Sequence, residues 1–174
     1  IQGCTELLKL PHLAPSVRAD AYALRALALS LVGRYLEAIS DYDQALAMRP
    51  DHAVALNNRA WALYKMGRIE EAMPDVQKSL QLDGRSPNAF DTRAHLYQAR
   101  GEADLAYSDY RQAMVLGGAQ MVRLYQCGLQ AHGLYSGPVS GIYSEALGTA
   151  LRLCVKSPKC DPLPPDEECK AALS

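Results

Sequence analysis

Ala53–Ser86 reads AVALNNRAWALYKMGRIEEAMPDVQKSLQLDGRS. Laid over Ala19–His52 and Pro87–Gln120, it aligns without gaps at a period of 34 residues. A fixed period of this size marks a repeat architecture. Small residues recur at position 8 (Ala26, Ala60, Ala94), position 20 (Ala38, Ala72, Ala106) and position 27 (Ala45, Ser79, Ala113). Gly33, Gly67 and Gly101 share position 15. Larger apolar residues fill position 4 (Tyr22, Leu56, Phe90), position 11 (Leu29, Leu63, Tyr97) and position 24 (Tyr42, Val76, Tyr110). Within each half-repeat the apolar positions fall three or four apart, the spacing of one helical face.

The pattern predicts a helix, a turn at the Gly and a second, antiparallel helix. Gly ends a helix at little steric cost, and Ala at positions 8 and 20 lets two backbones approach closely. Pro50 is expected to stop the second helix of the first copy, with Gly84 and Gly118 in that role in the next two. These copies resemble the tetratricopeptide repeat over residues 19–120. The resemblance implies an all-α fold, a right-handed superhelical stack of antiparallel helix pairs with a small helical C-terminal cap. The expected layout is a half-repeat and connector over 1–18, repeats over 19–52, 53–86 and 87–120, and a cap with a Cys/Pro-rich tail over 121–174.

Position 7 is Arg in every copy (Arg25, Arg59, Arg93) and position 23 is Asp (Asp41, Asp75, Asp109). Position 7 adjoins the packed Ala, so the guanidinium is half-buried and needs a carboxylate of bidentate geometry. A ladder of Arg–Asp pairs, within or between adjacent repeats, is predicted.

Met121–Ala131 is apolar at helical spacing, a Gly/Pro-rich connector runs from Gly133 to Tyr143, and a short helix carries Ala146, Leu147, Ala150, Leu151 and Cys154. This stretch resembles the small helical peptidoglycan-binding domain of bacterial envelope proteins. The matching residues are Val122, Tyr125, Gln126, Leu129, Gly133, Tyr135, Gly137, Pro138, Val139, Gly141, Ile142, Tyr143, Ala146 and Leu151. Ser140, Ser144 and Leu147 depart from that family, which has Asp, Gly and Thr there. The likeness implies peptidoglycan as a possible ligand.

Eighteen basic and 19 acidic residues leave a net charge of −1, without the basic excess that nucleic-acid binding requires. No apolar run reaches the roughly 20 residues of a membrane span. The five Cys form no Cys-x-x-Cys and the four His have no ligand spacing, so no metal is expected. Cys4 and Cys127 read as buried free thiols. Cys154, Cys160 and Cys169 crowd a proline-rich tail; Cys154–Cys160 is the first choice of disulfide and Cys160–Cys169 the second. A disulfide argues for an oxidising compartment. With the envelope-type likeness this points to the periplasm or cell envelope, with the cytoplasm as the alternative. No nucleophile elbow, phosphate loop or dinucleotide fingerprint appears. Neither catalysis nor a cofactor is expected.

Binding is the expected activity. The resemblance implies a concave surface lined by the first helix of each repeat, which selects Leu24, Leu27 and Leu31, then Asn57, Asn58, Trp61, Tyr64 and Lys65, then Asp91 and His95. An aromatic anchor among exposed leucines suits a protein or peptide partner; the competing reading is a patch covered by the chain's own N-terminal segment. Paired amides on Asn57 and Asn58 suit a peptide backbone. The family's best-known mode clamps a peptide C-terminal carboxylate with Lys, Asn and Arg. Only Asn58 matches it, since Ala23, Leu27, Asn88 and Thr92 stand at the other positions.

Overall fold

The computed structural model describes residues 1–163. It holds eight helices and no strand among them: α1 (Gln2–Leu8), α2 (Pro15–Leu31), α3 (Tyr35–Met48), α4 (Ala53–Lys65), α5 (Ile69–Leu82), α6 (Pro87–Ala99), α7 (Ala103–Ala131) and α8 (Glu145–Cys154). The chain divides into two compact units, Ile1–Gly84 and Arg85 onward. The third repeat and the residues after it thus share one unit.

In the first unit α2 pairs with α3 and α4 with α5. Ala26, Ala38, Ala60 and Ala72 are fully buried, as the close approach of helices at small residues requires. Ala26, Leu29, Ala38, Tyr42, Leu46, Ala55 and Leu56 form a continuous core. Ser79 keeps a hydroxyl at position 27 because its Oγ donates to the Ala53 carbonyl at 2.8 Å. α2 begins at Pro15, earlier than the repeat boundary at Ala19. Proline suits the first helical position, where its missing N–H costs nothing. Arg18 then donates to the carbonyls of Leu8 and Leu10 at 3.0 and 2.9 Å, fixing the end of α1.

The turns at position 15 follow one geometry. Gly33, Gly67 and Gly101 adopt φ of 76°, 73° and 77°. Arg34, Arg68 and Glu102 each donate back five residues, to Leu29, Leu63 and Tyr97, at 2.9 Å. This is the left-handed helix stop that glycine permits.

The second unit joins the third hairpin to the helices that follow it. Gly118 ends the second helix of the third copy as expected, with non-helical φ 60° and ψ −151°, and α7 runs on past this kink as a further helical stretch to Ala131. Tyr110, Tyr125, Leu129, Leu147 and Leu151 build one core from α7 and α8, with Ala94 of α6.

Candidate functional site

On the first unit, α2 and α4 present Leu24 (59% exposed), Leu27 and Leu31 (80%) together with Val54 (62%). A recess of about 290 Å³ lies among Ala23, Leu24, Leu27, Val54 and Ala55, with Tyr42 and Asn58 beside them and Asp20 and His52 completing its wall. Arg49 holds Asp20 at 2.8 Å, so the carboxylate at the recess is already neutralised. Farther along α4, Trp61 is half-buried, its ring 5.2 Å from that of Tyr64, with Lys65 Nζ 5.5 Å above it.

Three buried polar atoms near this face have no hydrogen-bond partner among the described residues: Ser30 Oγ, Tyr42 Oη and Asn57 Oδ1. Tyr42 is fully buried. Burial pushes its phenol up to about 12, against the opposing influence of the neighbouring Ser30 and Asn58. Asn57 is buried rather than offered to a ligand, and its Nδ2 donates to Asn58 Oδ1 at 3.3 Å. The paired-amide arrangement read from sequence is therefore turned partly inward, and Asn58 is the member that lines the recess. Tyr42 was legible only as core, since its side of the pattern is apolar at the same position in the other copies.

The third copy is different, and here the expected site residues need correction. Asp91 and His95 do not line an open groove: His95 is 2% exposed, and Asp91, Thr92 and Gln98 are buried with it. The chain's own C-terminal segment covers them. Asp161 Oδ1 lies 3.0 Å from His95 Nε2, and His95 Nδ1 lies 2.8 Å from the Asp91 carbonyl. Tyr125 donates its hydroxyl proton to Asp91. Gln98 Nε2 reaches the carbonyls of Cys154, Ser157 and Cys160 at 3.2, 2.7 and 2.7 Å, and Tyr110 donates to Gln98 Oε1. Burial alone would lower the His95 pKa, but the Asp91 charge and the Asp161 hydrogen bond raise it above the usual value. The signal missed in the sequence is a run of polar residues on one helix face with polar partners more than 50 positions away.

Cys154 and Cys160 are disulfide-bonded, their Cα atoms 5.2 Å apart, closing the loop that delivers Asp161. Cys169 lies outside the described residues. Cys4 is a free thiol and half-buried; Cys127, read as another, is disulfide-bonded. Among the described residues no group of His, Cys, Asp or Glu is arranged to hold a metal ion, and no helix is long and apolar enough to cross a membrane.

The Arg–Asp ladder is present within each repeat. Arg25 holds Asp41 through two bonds of 2.6 and 2.7 Å, Arg59 holds Asp75 at 2.6 and 2.8 Å, and Arg93 holds Asp109 at 2.6 and 2.9 Å. Arg59 also reaches Asp43 at 2.6 Å. These side chains brace each hairpin and leave no row of unmatched cations. The connector after Gly133 is likewise tied inward: Gln126 accepts from the Gly141 N–H at 2.9 Å and donates to the Ile142 carbonyl at 3.0 Å.

Residues 17–84 match the tetratricopeptide-repeat family model. No curated protein matches the chain. Among solved structures, the second repeat domain of human RPAP3, determined in complex with the HSP70 peptide SGPTIEEVD, is 28% identical with a TM-score of 0.55. The match covers 59% of this chain and 86% of that one. The Arabidopsis OM64 repeat domain is 20% identical (TM-score 0.57, 59% and 85% covered). MamA from Desulfovibrio magneticus is 18% identical (TM-score 0.60, 71% and 67% covered). The helix pairs, their glycine turns and these likenesses agree: the fold is that of the tetratricopeptide repeats, and residues 17–84 match the family's own model.

Proposed function

We propose that the chain is a non-catalytic interaction scaffold whose α2/α4 face takes a peptide segment of a protein partner, seating a large apolar side chain between Leu24, Leu27 and Val54. The recess carries this reading: the exposed apolar walls of Leu24, Leu27 and Val54 stand beside the Asn58 side chain. An extended peptide supplies an apolar side chain for the walls and main-chain N–H and C=O groups for the Asn58 amide. Capture of the HSP70 peptide by the human RPAP3 domain supports such use of the fold. An acidic tail of that kind is not the ligand proposed here, because Ala23 and Leu27 stand where a carboxylate clamp needs cations and amides.

Selection of peptides from a random display library on the full chain tests the reading. Selected peptides should share one large apolar residue, and Leu27→Asp should weaken them about tenfold or more without loss of helical circular dichroism. Peptides that bind Leu27→Asp and Val54→Asp as well as the original chain would reject the site.

The setting proposed for this scaffold is the bacterial periplasm or cell envelope. The Cys154–Cys160 disulfide supports it, because such bonds persist where the medium is oxidising. Mass spectrometry of protein whose thiols are blocked at lysis tests this; five blocked cysteines would count against it. Peptidoglycan binding by the C-terminal segment is the second proposal, supported by its sequence resemblance alone. Co-sedimentation of the full chain with purified peptidoglycan tests it, and recovery entirely in the supernatant would dismiss it.

A further inference from the structure

Two arginines of the second unit are held by tyrosines rather than by carboxylates. Arg25, Arg34, Arg49, Arg59, Arg68, Arg93 and Arg100 each meet a carboxylate. Among the described residues, Arg111 on α7 and Arg152 on α8 meet none. Each lies instead over a tyrosine: Arg111 Cζ is 4.0 Å from the Tyr143 ring centroid and Arg152 Cζ is 4.0 Å from that of Tyr107. The two tyrosine hydroxyls are 3.5 Å apart. Arg111 Nη1 donates to Tyr143 Oη at 2.5 Å and reaches Tyr107 Oη at 3.5 Å.

Gly148 makes the cluster possible. A Cβ there would collide with the Tyr143 hydroxyl and stand 3.3 Å from that of Tyr107. Burial by itself would raise the Tyr107 pKa, but the Tyr143 hydrogen bond and the Arg111 and Arg152 charges bring it below the usual value. Two cations are thus gathered around two phenols, in a chain whose overall charge is −1. Arg152 is exposed and both tyrosines are half-buried, so a ligand can reach them.

We propose that Arg111, Arg152, Tyr107 and Tyr143 form a site for a phosphoryl group, carried by inorganic phosphate or by a phosphate monoester. Charge and donor number select this chemistry. A phosphoryl dianion balances two guanidinium groups, and its three terminal oxygens accept from their planar N–H edges and from the phenols. A monocarboxylate balances one cation and leaves the second unmatched. The site is separate from the α2/α4 recess and stands or falls without it.

The test is a titration of the full chain followed through arginine Nε–H and tyrosine ring resonances. Inorganic phosphate, methyl phosphate, acetate and chloride are compared at equal ionic strength. Saturable shifts at Arg111, Arg152 and Tyr143 are expected with phosphate or methyl phosphate, and the tighter of the two identifies the natural form. Arg152→Gln should weaken binding about tenfold or more, Arg152→Lys should restore part of it, and Arg152 lies on the surface, so both variants should keep the original helical content. Gly148→Ala should weaken binding without altering charge. Phosphate shifts no larger than those from chloride, or equal affinity in Arg152→Gln, overturn the site.

Discussion

Tyr42 buries its whole side chain, and among the described residues its hydroxyl has no hydrogen-bond partner of good geometry. Among the described residues, removing that oxygen therefore forfeits no hydrogen bond of good geometry. Tyr42→Phe should keep or raise stability, by up to about 1 kcal/mol, in urea denaturation. Arg59 is the opposite case: its guanidinium satisfies Asp75 and Asp43 together. Arg59→Met leaves Asp75 largely buried beside apolar atoms and should cost about 2–4 kcal/mol; adding Asp75→Leu should recover much of it. The Arg–Asp pairs were legible because one hairpin places residues 16 apart side by side, and the repeat states that spacing three times. An orphaned hydroxyl is invisible in sequence, since it depends on how the neighbouring Ser30 and Asn58 side chains are placed.

At the scale of elements, α6 differs from α2 and α4 in what covers its polar face. His95 is held among Asp91, Asp161, Tyr110 and Tyr125. Its folded pKa is raised, so its contribution is complete below the unfolded value of about 6.5. That contribution is lost as pH rises through the raised folded value. Thermal unfolding of the original chain should therefore lose stability relative to His95→Gln as the pH rises above about 6.5; a difference that stays constant with rising pH would refute the coupling. The Cys154–Cys160 link sets the loop that supplies Asp161 and the carbonyls bound by Gln98. Replacing both cysteines by Ala should cost about 2–3 kcal/mol, from the chain entropy of so short a loop, and should speed amide exchange at Cys160 and Asp161. The helices themselves were legible from spacing; their cover was not. His95 and Asp161 stand 66 residues apart with no period joining them.

For the molecule as a whole, the division after Gly84 matters more than the end of the third repeat. A truncation after Gln120 follows the repeat pattern but removes Tyr125, Leu129, Leu147 and Leu151 from the core of the second unit. It also uncovers Asp91, Thr92, His95 and Gln98. That fragment should lose the cooperative unfolding of its third repeat, measured by calorimetry and by the loss of dispersed resonances from α6. Retention of both would show that the third hairpin stands without its cover. The position of Cys160 six residues after Cys154 has a further consequence. Partners so near in the chain find one another by local motion alone, within nanoseconds to microseconds of loop closure. Closing so short a loop needs no contact from the rest of the unit, so the hook can take its shape before it docks on α6.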